Sequence, residues 1–420
     1  MSVVGLITEY NPFHNGHLYH IQEAKRITNA DTVVVVMSGN FVQRGTAAMV
    51  DKYTRTRIAL KAGADLVIEL PVCYSTSSAE YFSLGAVSIL DQLGFVDYLV
   101  FGSECGDVTI LKQIADLYSN EPIEITMGIQ SRIKNGITYP AARAAATIDY
   151  LQNGHTNSFS KTTDYKAILN SPNNILGIEY IKALNRLHSS IIPQTIQRIQ
   201  ADFHNEELSG SISSATAIRK AILMNDSPSL DGIKESIPDF AFNVLSKYQN
   251  KTFPIVSEDL DLLLNYRLLQ ETSTSLTEYQ DINEDLANRI KKQTKEFLTF
   301  EDLVDSVKSK QYTQTRIQRA LLHVLLNITK DSMELFLNNG ITPYARILGF
   351  KPTIHPYLKK AKELDDFTII SKLTNANLST IGNKMLQLDL DATHLYHLLI
   401  ANKFGNQMKD EYKQGIIVIK

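Results

Sequence analysis

The chain has 420 residues, 44% of them hydrophobic, two cysteines and a formal net charge of −3. That length exceeds one compact core and favours two domains, and two thiols are too few for a disulfide framework or, by themselves, a structural zinc site. The near-neutral charge argues against a protein that coats nucleic acid indiscriminately, and no DNA partner is expected.

No apolar run approaches the ~20 residues needed to span a bilayer, and the first residues enter a strand-like pattern without the layout of a signal peptide. A cytoplasmic protein with no membrane partner is the expectation. SVVGLI from Ser2, DTVVVVMSG from Asp31, DLVIELP from Asp65 and VDYLVFG from Val96 are short, almost continuously apolar runs, as strands covered by helices on both faces should be. Between them HLYHIQEAKRI from His17, DKYTRTRIALKAG from Asp51 and AEYFSLGAVSILDQLG from Ala79 carry helical periodicity, the last two stopping at Gly. IEITMG reads as a fifth strand-like segment, NNILGIEYIKALNRL after Pro172 as a helix, and PQTIQRIQ as a candidate last strand. Alternation of this kind predicts βαβ units on a parallel sheet.

Near Asn225 the texture changes. SPSLDGIKESIPDF reads as a linker, after which β-branched runs nearly vanish. The expected organisation is an α/β domain over 1–225 and a mainly α-helical domain over 226–420. Residues 258–305 hold twelve acidic side chains against five basic, whereas 308–362 hold ten basic against two acidic. A basic stretch of this kind is either an electrostatic footprint for a polyanion or a solvated face paired with the acidic one.

EYNPFHNGHLYH, from Glu9 to His20, follows the first strand. In open α/β sheets, ligands bind at the carboxyl ends of the strands. A helix starting near Gly16 or His17 offers unpaired N–H groups and a positive dipole end to an anion, with His14 and His17 beside it. Imidazoles there can stabilise charge on an α-phosphorus under attack, most strongly when protonated. A zinc reading fits less well, because no carboxylate or thiolate partners follow at helix spacing; His20 reads as a packed side chain.

His14-Asn15-Gly16-His17 fits the HxGH signature of the nucleotidylyl transferase superfamily, and SSATAIRK, Ser213 to Lys220, resembles that superfamily's ISSTxIR with Ala215 in place of its second Ser. The resemblance implies a Rossmann-like nucleotidylyl transferase domain, with Ser214 and Thr216 capping a helix and holding phosphate oxygens, and Arg219 pointing at the leaving pyrophosphate. EYNPFHNGHLYH, MSGNFVQRG, DLVIELP, FGSE, SPNNILGIEY, YTQTRIQR and PYARILG further resemble the bacterial tRNA(Met) cytidine acetate ligase family over nearly the whole chain.

That resemblance implies an ATP-dependent ligase that activates acetate as acetyl-adenylate and acetylates N4 of the wobble cytidine in elongator tRNA(Met). The expected catalytic residues are His14, His17 and Arg219. The expected ATP-binding residues are Ile7, Thr8, Glu9, Tyr10, Asn11, Pro12, Phe13, His14, Asn15, Gly16, His17, Leu18, Tyr19, His20, Gly102, Asn173 and Arg198. Mg²⁺ is expected with ATP, held by phosphate oxygens and water and not by a protein cage. Ser38, Asn40, Gln43 and Arg44 of MSGNFVQRG are candidates for the acetate or tRNA side. Arg316, Arg319 and Tyr312, with Arg346 and Lys351, suit an anticodon loop through stacking and phosphate neutralisation. Three competing functions would use part of this pattern: an adenylyltransferase acting on a small phosphorylated metabolite, a class I aminoacyl-tRNA synthetase, which would normally carry a KMSKS-type loop where SSATAIRK stands, and a non-catalytic RNA-binding protein.

Overall fold

The computed structural model describes residues 2–152, 159, 162–198, 213–224, 228–362 and 367–420. Its first four long strands are those the apolar runs predict: β1 (Val3–Thr8), β2 (Thr32–Ser38), a small hairpin of β3 (Phe41–Val42) and β4 (Thr46–Ala47), then β5 (Leu66–Leu70) and β6 (Tyr98–Ser103). β7 (Ile192–Gln197) closes one side of the sheet. Strands β5, β2, β1, β6 and β7 lie side by side and parallel, with β1 and β2 in register from Val3↔Thr32 to Thr8↔Met37. β2 is buried along its whole length. Its alternate residues feed two cores, Val34 and Val36 on one face and Val33, Val35 and Met37 on the other, so a period-two strand reads as an unbroken apolar run because both faces are covered.

Helices fill the crossovers. The Lys52–Ala62 helix is capped by the Asp51 carboxylate, which accepts from the Tyr53 and Thr54 amides, and ends at a left-handed Gly63; Ala79–Gln92 also falls where its periodicity predicts. IEITMG does not form a strand. It opens the Ile123–Lys134 helix, whose Ile125 and Ile129 pack on Ala142 and Ala146 of the following helix, Tyr139–Gln152. Local β-branched content is overridden there by a helix partner.

PQTIQRIQ supplies a strand, β7, but not the last one. After the helix-rich stretch from Asp239 to Asn338 the chain returns with β8 (Tyr344–Phe350), β9 (Thr368–Ile370) and β10 (Ile417–Val418), extending the sheet to the order β10-β8-β5-β2-β1-β6-β7, with β9 also on β8. β8 runs antiparallel to β5 and sets Arg346 opposite Glu69. One hydrophobic core runs from Val3 to Ile400 across the expected boundary. Ile199 and Gln200 of PQTIQRIQ, and Asn225 to Ser227 at the change of texture, lie outside the described residues.

Candidate active site

The loop after β1 is built before it meets any ligand. Tyr10 takes a left-handed conformation at φ 51° and a cis bond joins Asn11 to Pro12. Tyr10 and Phe13 are fully buried, with ring centroids 4.8 Å apart, and both pack against His17. The Asn11 carboxamide oxygen accepts from the Met49 amide at 2.8 Å, and Asn15 donates to the Glu235 carbonyl at 2.8 Å. Several residues expected around the nucleotide therefore hold the loop with their side chains.

His14 caps the Asn15–Thr28 helix and stacks on His17, ring centroids 3.7 Å apart. The glycine of HNGH leaves room for that stack, since a β-carbon on Gly16 would stand 3.0 Å from His14 Cε1 and press on the ring. His17 Nδ1 accepts from the His14 amide at 3.3 Å, so a neutral His17 carries its proton on Nε2 and presents it as a donor. Burial, with Arg198 and Arg219 nearby, drives the His14 pKa down to about 3. Burial also pushes His17 well below its usual value, and with Arg198 it drives His20 down to about 4. These imidazoles are neutral at pH 7 before a polyanion arrives, and the positive charge of the site is arginine's. His14 Nδ1 and His20 Nε2 are buried without a partner among the described residues, as expected of groups built for a ligand.

Arg219 comes from the Ala215–Leu223 helix, where Ser214 accepts from the Ala217 amide at 3.0 Å. Its guanidinium donates to the Asn11 carbonyl at 2.8 Å and to Thr216 Oγ1 at 3.2 Å, so Thr216 serves the arginine instead of capping the helix. Burial, then Arg44, lowers Arg219 to about 10, still charged at neutral pH. Arg198, one residue past β7, lies with its stem across Gly102: a β-carbon there would meet Arg198 Cγ at 3.3 Å. Asn173, in the first turn of the Pro172–Leu187 helix, donates to Glu104 just beyond β6. His14, His17, His20, Arg198 and Arg219 thus converge at the carboxyl ends of β1, β6 and β7, with Gly102 and Asn173 on the β6 side.

The loop after β2 closes the other side. The Gln43 amide donates to Glu9 Oε1 at 2.8 Å, Asn40 caps Lys52 at 2.9 Å, and Ser38 is buried. Sequence reasoning missed the residue that joins the two loops. Arg55 is fully buried and donates to the carbonyls of Glu9 at 2.7 Å, Ser38 at 2.9 Å and Val50 at 2.8 Å, and to that of Gly39. An arginine within YTRTRIAL carries no signal that separates it from a surface cation.

The basic stretch does not form one surface. Arg346 is buried, paired with Glu69 at 3.1 Å and with Glu411, in a cluster where Lys52 reaches Glu69 at 2.8 Å and Glu411 at 3.1 Å. Two cations and two carboxylates balance, while burial and Glu69 push neighbouring Asp389 up to about 7. Lys351 lies 3.7 Å from Asp65, at the amino end of β5 and opposite the histidines. Neither suits an anticodon loop at this site. Arg319 pairs with Asp281 of the acidic stretch at 2.9 Å, and Arg316 sits over the Tyr312 ring at 5.1 Å. Their helix, Gln314–Leu326, presses on Gly45, where a β-carbon would stand 2.3 Å from the Arg319 amide nitrogen. Among the described residues no group of three His, Cys, Asp or Glu side chains is arranged to hold a metal.

The profile of a family described as HIGH Nucleotidyl Transferase matches residues 1–411. The chain is 40% identical to the tRNA(Met) cytidine acetate ligase of Acetivibrio thermocellus, with 100% of each covered. It is 41% identical to the protein of that name from Clostridium perfringens, over 95% of this chain and 96% of the other. The crystal structure of apo Thermotoga maritima TmcAL matches with a TM-score of 0.91 at 30% identity, covering 100% of both chains. The same Thermotoga protein bound with alpha-thio ATP matches at 0.89 and 30% identity, again with 100% of both covered.

Proposed function

The chain belongs to the HIGH nucleotidyl transferase family and, within it, to the tRNA(Met) cytidine acetate ligases, and from that membership we infer that it activates acetate with ATP and acetylates N4 of the wobble cytidine of elongator tRNA(Met). Acetate oxygen attacks the α-phosphorus, the bond to pyrophosphate breaks, and cytidine N4 then takes the acetyl group while AMP and one proton leave. The product is N4-acetylcytidine. The observation that carries this reading is the stacked His14–His17 pair at the mouth of the Asn15–Thr28 helix, with the cations of Arg198 and Arg219 beside it.

Positioning and charge stabilisation supply most of the acceleration in phosphoryl chemistry. In the proposed mechanism the first-helix amides and His17 Nε2–H meet the α-phosphate, His14 donates an N–H to its oxygens, and the N–H groups of Arg219 beyond those on Asn11 and Thr216 meet the departing pyrophosphate. Acetate enters from the Gln43–Arg44 side. Mg²⁺ bound with ATP would be held by phosphate oxygens and water and would neutralise triphosphate charge, a fit to described residues that build no cage of carboxylates. Arg316 and the exposed Lys308 and Lys310 hold the tRNA, and the reaction takes place in the cytoplasm. No helix among the described residues is long and apolar enough to cross a membrane.

The test is mass spectrometry of tRNA(Met) after incubation with the protein, ATP and isotopically labelled acetate. One labelled acetyl group on the wobble cytidine, dependent on ATP, is expected. Label on another nucleotide, or acetylation independent of ATP, refutes the reading.

A further inference from the structure

The Pro172–Leu187 helix begins beside the active edge, and its first free amides are already occupied. Glu104 reaches it from beyond β6: its Oε2 accepts from the Asn174 amide at 2.9 Å, and its Oε1 accepts from the Asn173 amide at 3.2 Å and from Asn173 Nδ2 at 2.7 Å. Asn174 answers in the other direction, its Oδ1 accepting from the Glu104 and Cys105 amides at 2.9 and 3.1 Å and its Nδ2 donating to the Ile168 carbonyl at 3.2 Å. The interlock has two consequences. A helix start that could bind a phosphate is filled by a carboxylate, and so is closed to the triphosphate. A carboxylate also only accepts, so Asn173 can meet Glu104 only with its NH₂, and its carbonyl oxygen is turned away from Glu104.

We propose that Glu104 is a positioning residue that fixes the flip of the Asn173 amide so that its carbonyl oxygen, the side turned away from Glu104, meets the nucleotide as an acceptor, and the site selects a donor on the adenosine, either the N6 amino group or a ribose hydroxyl. This rests on the ATP-dependent reading above. A glutamine at 104 offers one acceptor oxygen and one NH₂. With that oxygen on the Asn174 amide, its NH₂ faces Asn173, whose amide can then turn and offer its own NH₂ to the ligand. The preference for a donor is lost or reversed.

The experiment is calorimetric titration of the full chain with ATP, ITP, 2′-deoxy-ATP and 3′-deoxy-ATP, on wild type, Glu104→Gln and Asn173→Ala. Asn173→Ala removes the reading group but leaves both backbone amides capped by Glu104, which guards against loss of the helix start. Wild type should bind one analogue about tenfold more weakly than ATP, the value of one neutral hydrogen bond, and the weak one names the donor. In both variants that ratio should fall below about threefold. A purely structural role for Glu104 would weaken all four nucleotides alike, and that result overturns the proposal, as does Asn173→Ala keeping the wild-type ratio. Wild type that binds ATP without telling the four apart refutes this inference alone; wild type that binds none of them refutes the function on which it rests.

Discussion

Arg219 offers the sharpest separation between holding the loop and stabilising the reaction. Its guanidinium has five N–H donors, of which, among the described residues, one goes to the Asn11 carbonyl and one to Thr216 Oγ1, leaving three in the fork. Arg219→Ala removes the fork and the cation. Loss of a preorganised donor aimed at developing charge costs about 10²–10³ in rate, about 3 to 4 kcal/mol, and that fall is expected in the kcat of acetate-dependent pyrophosphate exchange. Arg219→Lys keeps a charge, but one of its three donors must serve Asn11 and the planar fork is lost. About a tenfold fall is expected for it, an intermediate value that neither a dead site nor an idle residue would give. Thermal unfolding run beside the exchange assay shows whether the Asn11 loop has let go. Exchange within threefold of wild type for both variants, or a loss confined to KM for ATP, refutes the assignment.

Other consequences follow from burial. His14 and His20 titrate near 3 and 4 in the folded chain against 6.5 for a freely solvated imidazole, so between those values the unfolded state binds more protons and stability, complete above about pH 6.5, falls with pH. At pH 5 the loss is about 2 kcal/mol per histidine, read as a lower urea midpoint; His14→Gln should flatten the slope, and an unchanged slope contradicts the burial argument. Arg55→Lys offers three donors to four carbonyls and loses the planar fork that reaches them, and should destabilise by about 3 to 5 kcal/mol; a urea midpoint equal to wild type would show that the two loops do not depend on it. Gly45→Ala puts a β-carbon into the backbone of the Gln314 helix at a φ of 79°. It should cost about 2 to 4 kcal/mol and raise KM for tRNA more than KM for ATP; equal effects on both would separate the helix from tRNA binding.

The half of the fold around the nucleotide was legible because fully buried parallel strands write themselves as unbroken apolar runs, and HNGH was legible because two histidines flank a helix start at a strand end in a pattern that resembles the HxGH signature. The return of the chain to the sheet was not. PYARILGF carries a charge in its middle, and only the register of β8 on β5 shows that Arg346 meets Glu69 inside the protein. The same holds for the basic stretch, where Arg319, Arg346 and Lys351 sum to one patch in sequence and separate into an ion pair with Asp281, a buried cluster and the far end of the sheet. Within FGSE nothing local marks Glu104 for a role, since the partner that gives it one lies 69 residues away.

That return of the chain bears on how acetyl transfer is organised. The Gln314 helix, which carries Arg316, rests on Gly45; two residues earlier the Gln43 amide is tied to Glu9; and the Glu9 carbonyl is tied to Arg55, which also holds the loop after β2. An acyl-adenylate is a reactive anhydride that water destroys, so an enzyme gains by letting it meet its acceptor at a fixed separation. Here the helix proposed to hold tRNA and the loop proposed to hold ATP are spaced by one glycine contact and two hydrogen bonds, on a single core that runs through both parts of the chain. The spacing between that helix and that loop is then set by the fold, and a wobble base that reaches an adenylate has to leave the anticodon stack.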